Sequence, residues 1–325
     1  MDAAAARVGA DLGVDGVAIL RERAEILGIE PAGTVSAGGT CRLLRARDGR
    51  WVAVNLARRA DLELLAAWMG REWDGAAWDA VAGHLVTVDA ESAVERAQLL
   101  GIPAAVAVAA ASDASPVRVA AGRASRGRDT PAVLDCSALW AGPLCARLLG
   151  LAGGFVQKVE LAGRPDGARG GHPEFWDRLN GGKREVTVEP ADLPRLVEEA
   201  DVVVTSARPR AIEQLGLDLV RRARDDGLVW VSITGYGFEG VWRDRVAFGD
   251  DAAVAGGLAV AAGGPDAPVF VGDAPADPLA GLHAARAAAA CLRAGHGGVV
   301  DVSMRDAVAH AIADARYGQG RQEVA

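Results

Sequence analysis

Cysteine is scarce: four residues, Cys41, Cys136, Cys145 and Cys291, are scattered over 325 positions. No C-x-x-C pair occurs and the five histidines are equally dispersed, so no zinc-ligand spacing is present. The pattern implies reduced, buried thiols in a cytoplasmic protein without a metal centre. Long apolar runs are also missing. "IPAAVAVAAA" (102–111) is too short to span a bilayer, and the opening "MDAAAARVGADLG" has acidic residues and no apolar signal core, so no membrane partner is expected. Positive charge is short as well: 35 Lys and Arg face 43 Asp and Glu, a formal charge of −8. That excludes the basic stripe a nucleic-acid partner would require. G-x-S-x-G, H-E-x-x-H and the P-loop are absent, which leaves the chemistry of carboxylates and backbone glycines.

What is present is apolar bulk, half of all residues, enough for two cored domains. The expected division is a small α+β domain at 1–112, a linker at 113–130 without stable periodicity, and a Rossmann-like α/β domain at 131–325. The first unit carries an amphipathic helix (16–28) and two alternating runs, "TCRLLRARDGRWVAVNLA", split by Asp-Gly, which predicts a β-hairpin. Helical patterns follow at 60–70 and 90–101, then a short strand in "IPAAVAV". In the second unit strands at 132–137, 155–160, 201–206, 228–237 and 298–303 alternate with helices. The helices include single predicted stretches at 211–227 and 250–262. That alternation predicts parallel βαβ units in an open sheet, with ligands beyond the carboxyl ends of the strands.

Several residues next to strands carry alternatives. Lys183 and Arg184 follow two glycines in "LNGGKREVTV", as suits either phosphates or a solvated turn. Arg208 and Arg210 in "TSARPR" open a helix, a place for anion contacts or an ordinary helix start. "AGPLCARLLGLAGG" does not have the G-x-G-x-x-G spacing, which disfavours a nicotinamide enzyme. In "GDAPADPLAGLHAARAAAACL" Asp277 stands before Pro278. It reads either as an N-cap or as a catalytic carboxylate at a helix start, whose N–H groups favour the ionised form.

Taken in order, "VLDCSALWAGPLCARLLG", "KVE", "LNGGKREVTV", "ADVVVTSARPRAIEQLGL", "LVWVSITGYGFEGVWRDR", "DAPADPLAGLHAARAAAACL" and "GHGGVVDVSMRDAVAHA" resemble the family III CoA-transferases. The family's nucleophilic aspartate stands four residues before a glycine at the start of a long Ala/Leu-rich helix. Asp277 and Gly281 match, whereas Asp273 lies a turn too early. The resemblance implies CoA transfer from an acyl-CoA to a carboxylic acid through an aspartyl anhydride and an aspartyl-CoA thioester, covalent catalysis that splits one acyl transfer into easier steps. It implies CoA contacts at Ala138, Leu139, Trp140, Lys158, Lys183, Arg184, Ser206, Ala207 and Arg208, and an interlocked homodimer.

The first unit resembles the family's smaller domain, which normally follows the α/β part, so the order looks circularly permuted. Gly38 and Gly39 then stand in for a glycine loop closing over the site, shorter than in formyl-CoA transferases. Ser206-Ala207 replaces the family's Asn-Phe. These departures keep a non-catalytic CoA-binding paralogue or subunit as the alternative. Related α-methylacyl-CoA racemases need a histidine where this chain has Gly249, which ranks an isomerase lower.

Overall fold

A computed structural model describes residues 1–322, with side chains described through residue 315. Two sheets organise it. The smaller is antiparallel: β1 (Cys41–Arg45), β2 (Trp51–Asn55) and β3 (Ala104–Val106), in that order. β1 and β2 form the expected hairpin, and Gly49 supplies the positive φ of 79° that its Asp-Gly turn requires. The helices Leu65–Met69, Ala77–Leu85 and Ala90–Leu100 close a core of their own over this sheet around Leu65, Trp68, Val81 and Leu85.

The larger sheet has seven strands: β4 (Val117–Ala124), β5 (Ala132–Cys136), β6 (Phe155–Leu161), β7 (Arg184–Val188), β8 (Val202–Thr205), β9 (Val229–Thr234) and β10 (His296–Ser303). Their spatial order is β4-β10-β9-β8-β5-β6-β7, parallel throughout except for β4, which runs antiparallel on β10. The fold is therefore α/β with a large, mostly parallel sheet and a smaller antiparallel one. β8 and β9 are buried at every position, as befits central strands covered on both faces.

The structure corrects the expected boundaries in two places. The segment read as a linker contains β4, paired with β10 from Val117 against Val302 onward. β4 is an edge strand with largely exposed side chains, so backbone pairing and not apolar periodicity creates it. Second, the helices Asp2–Leu12 and Gly16–Leu27 do not belong to the small unit's core. Ala4, Ala5, Val8, Ile19 and Leu20 pack in one cluster with Leu144, Leu282 and Val308 of the large unit.

Two helices read as continuous are broken. Gly216 and Asp218 at positive φ separate Pro209–Gln214 from Leu219–Asp225, and Gly257 separates Gly249–Ala255 from Leu258–Gly263. The long helix Ala276–Arg293 packs along Ala141–Leu151. At Gly281 a Cβ would sit 2.8 Å from the Ala141 carbonyl oxygen, so only glycine permits this approach. Among the described residues no helix is long and apolar enough to cross a membrane. All four cysteines are free thiols.

Candidate active site

The turn after β5, residues 137–140, is the wall between two cavities. One, about 630 Å³, is lined by Arg23, Thr40, Asn55, Trp140, Phe175 and Asp277 among others. The other, about 570 Å³, opens at the carboxyl ends of β5, β6 and β8 beside Ser137, Val159, Leu161, Thr205 and Ala207. Ala138 lines both. These are the strand ends at which an open parallel sheet binds ligands.

Asp277 is not an N-cap. The helix begins at Ala276, and Pro275 precedes it with φ −65° and no side-chain cap. Asp277 therefore sits inside the first turn, with its own N–H bonded to the Ala274 carbonyl at 3.0 Å. The Ala141 backbone N–H, on the helix that Gly281 lets approach closely, favours the ionised form of this carboxyl. Gly249 supplies the remaining room: a Cβ there would lie 2.2 Å from Asp277 Oδ2 and 2.5 Å from the Ala274 carbonyl. No larger side chain fits at 249, and the histidine a two-base racemase would need has no space.

Burial dominates the charge of this carboxyl. It pushes Asp277 up to about 7, with Arg23 acting against it and Asp250 adding to it. The sequence leads to the expectation that the helix start favours the ionised carboxylate; burial acts in the opposite direction. Asp250, raised to about 6 by burial and by Asp273, accepts the Ala274 N–H at 3.1 Å. Asp251 is buried and pushed up to about 7 although Asn55 and the Phe248 N–H donate to Oδ1, each at 3.0 Å. Asp273, raised by burial, pairs with Arg23 at 2.5 Å. Among the described residues three non-glycine residues have positive φ, and two of them, Leu139 (68°) and Ala274 (42°), line this cavity. Each such conformation costs about 1–3 kcal/mol and persists where the surroundings enforce it. Here Leu139 N–H is held by Asp166 at 2.9 Å, and Ala274 by Asp250.

The other residues singled out in the sequence divide. Ala138, Leu139 and Trp140 line the first cavity and Ala207 the second, while Ser206 Oγ accepts the Ala138 N–H at 2.9 Å and holds the turn. Gly38 and Gly39 lie in the turn before Thr40, with Gly38 beside the Arg23 guanidinium; Thr40, not the glycines, faces the cavity. Lys158 and Lys183 are not available to a phosphate. Lys158 is fully buried, donating to the Ser137 carbonyl (2.6 Å) and Asp166 (2.7 Å). Lys183 donates to Asp135, the Pro143 carbonyl and Asn180 at 2.8–3.0 Å. Arg184 and Arg208 are exposed and line neither cavity.

Sequence reasoning missed Arg23, Asn55, Phe175 and Asp250. Only the last left a signal, an Asp-Asp pair inside the apolar run "AFGDDAAVAGGLAVA". Among the described residues no group of three or more His, Cys, Asp or Glu side chains is disposed to hold a metal ion.

Residues 131–323 match the model of CoA-transferase family III. Succinyl-CoA–D-citramalate CoA-transferase of Chloroflexus aurantiacus is 32% identical over 205 residues, 57% of this chain and 51% of that protein. Formyl-CoA:oxalate CoA-transferase of Afipia carboxidovorans is 29% identical over 195 residues, 54% of this chain and 46% of that one. Among solved structures, a hypothetical protein of Mycobacterium tuberculosis superposes with TM-score 0.52 and 29% identity over 60% of this chain and 58% of that one. A CaiB/BaiF family protein from Brucella suis gives TM-score 0.50 and 25% identity over 60% and 57%. The chain spans about half the length of the curated relatives it matches.

Proposed function

The chain belongs to CoA-transferase family III, and on that premise we propose that it moves CoA from an acyl-CoA to a carboxylic acid, with Asp277 as nucleophile. The observation that carries this reading is the placement of Asp277. Gly249 opposite leaves room for the carboxylate in a cavity wide enough for an acyl group, and the Ala141 N–H favours its ionised form.

A carboxylate oxygen of Asp277 attacks the thioester carbonyl, giving a mixed anhydride and CoA thiolate. The thiolate attacks the Asp277 carbonyl of that anhydride, forming an aspartyl-CoA thioester and releasing the first acid as its carboxylate. A second carboxylate attacks this thioester, and the thiolate then takes the new acyl group and frees Asp277. The Ala141 N–H is placed to stabilise oxygen charge on Asp277 as it reacts. CoA would occupy the second cavity and pass its thiol end across the shared Ala138 wall. Arg208, just beyond the carboxyl end of β8, is the remaining phosphate candidate, since Lys158 and Lys183 are engaged inside the protein and Arg184 stands at the amino end of β7, away from that cavity.

The segment before residue 131 stands in for the family's smaller domain, a permuted order, because Thr40 and Asn55 wall the cavity that holds Asp277. The interlocked homodimer and cytoplasmic location implied by the resemblance complete the reading.

Intact-protein mass spectrometry after incubation with a panel of acyl-CoAs tests it. The expected result is a gain of one CoA less one water, removed by hydroxylamine and absent from Asp277→Asn. An unmodified wild type that is still stabilised by CoA would instead indicate a non-catalytic CoA-binding protein. Full exchange activity in Asp277→Asn would sink the assignment.

A further inference from the structure

The transfer chemistry leaves Arg23 unexplained. It comes from the helix Gly16–Leu27, outside the matched residues 131–323, yet it lines the same cavity as Asp277. Its guanidinium is fixed on two sides. Nη1 donates to Asp273 Oδ1 at 2.5 Å, and the group lies 5.6 Å from the Trp140 ring centre and 5.8 Å from that of Phe175. The pairing with Asp273 is single. Asp273 Oδ2 is buried without a partner, and among the described residues Arg23 Nε and Nη2 donate to nothing. The side chain keeps 28% of its surface exposed. Arg58, another cation in this cavity, is by contrast tied to Asp61 and the Gly101 carbonyl.

A guanidinium stacked on aromatic rings with unpaired N–H edges is arranged to receive a carboxylate in a charge-assisted fork. The neighbouring carboxyls do not forbid this. Neither Asp250 nor Asp277 accepts a hydrogen bond from Arg23 among the described residues, and burial raises both carboxyls, which reduces the negative charge they set against a bound anion. The cavity, about 630 Å³, is also larger than a reacting carbonyl needs.

We propose that Arg23 is a specificity-determining residue that holds the second carboxylate of a dicarboxylic substrate whose first carboxyl reacts at Asp277. This rests on the reading of Asp277 as the nucleophile and adds the substrate class. Losing a charge-assisted hydrogen bond should change affinity by about tenfold or more.

The test compares glutarate with pentanoate, acids of equal chain length, in wild type, Arg23→Gln and Arg23→Lys. Calorimetry measures binding of the free acids, and CoA exchange gives KM for each as acceptor. Wild type should bind glutarate at least about tenfold more tightly; the KM ratio of the two acids should collapse toward one in Arg23→Gln and recover partly in Arg23→Lys. Thermal melting checks that both variants fold, and if Arg23→Gln does not, the wild-type preference and Arg23→Lys decide. No glutarate preference in wild type, or an equal loss for both acids in Arg23→Gln, overturns the proposal. Selective glutarate binding without any aspartyl adduct would overturn the nucleophile and leave Arg23 standing. An adduct without selectivity would do the reverse.

Discussion

Two buried charge clusters flank the turn at 137–140, and they are built on opposite principles. On one side Lys158, Lys183 and Arg169 meet Asp135, Asp166 and Glu160, cation for carboxylate. Lys158 and Lys183 are bonded as already described, Ser137 Oγ donates to Asp135, and Arg169 forks onto Glu160. Burial alone would raise the Asp135 carboxyl, yet Lys183 and Lys158 hold it below the usual carboxylate range. On the other side Asp250, Asp273 and Asp277 share the influence of Arg23, with Asp251 buried against Asn55, and Asp251 Oδ2, Asp273 Oδ2 and Asn55 Oδ1 are buried without partners among the described residues. The satisfied cluster holds the turn in position. On the reading proposed above, the unsatisfied one houses the nucleophile, since a carboxylate fully occupied by partners would be a poor one.

The contrast can be broken first at Lys158. Lys158→Met leaves Asp166 Oδ2 and the Ser137 carbonyl without their ammonium and should destabilise the fold by about 3–5 kcal/mol, read by urea denaturation. A change below about 1 kcal/mol would mean that this cluster is not structural.

Next is Asp251. Its folded-state value of about 7 lies above the ordinary 3.8, so the folded protein holds a proton that the unfolded chain releases. The resulting stability is complete below pH about 4 and is lost as pH rises through 7. Asp250 and Asp277 act with the same sign. Asp251→Asn, which keeps the Oδ1 acceptor for Asn55, should therefore gain stability relative to wild type between pH 5 and 8. The gain is on the order of 2–4 kcal/mol and is seen as a flatter pH profile of melting temperature.

Gly249→Ala sharpens the comparison at its smallest scale. Its Cβ would overlap Asp277 Oδ2 and the Ala274 carbonyl, so about 1–3 kcal/mol of stability should be lost. Displacing the carboxylate from Ala141 should slow aspartyl-adduct formation about a hundredfold, measured by quenched-flow mass spectrometry. In wild type that rate should rise with pH through about 7 as Asp277 ionises. A pH-independent rate would detach the chemistry from this carboxyl.

The sequence disclosed whatever was repeated or periodic. "DVVVTS" and "LVWVSIT" read as central strands because they are apolar on both faces, and Asp48-Gly49 marked the hairpin. β4 was illegible because an edge strand with exposed side chains leaves no period. At the site, Asp277 was marked by Gly281 and the order of surrounding motifs, whereas the N-cap that Asp-Pro suggested is not formed. Ala274, at positive φ, turns the chain before Pro275, so the helix starts earlier than Asp-Pro suggests. Lys158 was misread as a phosphate contact, yet it stands in "FVQKVE", on a strand flanked on both sides and covered by helices, where a lysine has little access to solvent. Arg23 had no marker at all. One arginine in "RERAEIL" resembles any other until packing chooses its neighbours.

The docking of the first two helices has a consequence for how the molecule is made. Asp2–Leu12 packs against Ala276–Arg293 and the final helix, and Arg7 meets Asp314 some 307 positions away. Residues 2–27 can pack on each other early, but the rest of their apolar faces waits through the synthesis of nearly the whole described chain. Arg23 is in that waiting segment. The cavity around Asp277 takes one wall from residues 23 and 27 and another from residues 248–277, so a nascent or partly folded chain does not present the finished pocket.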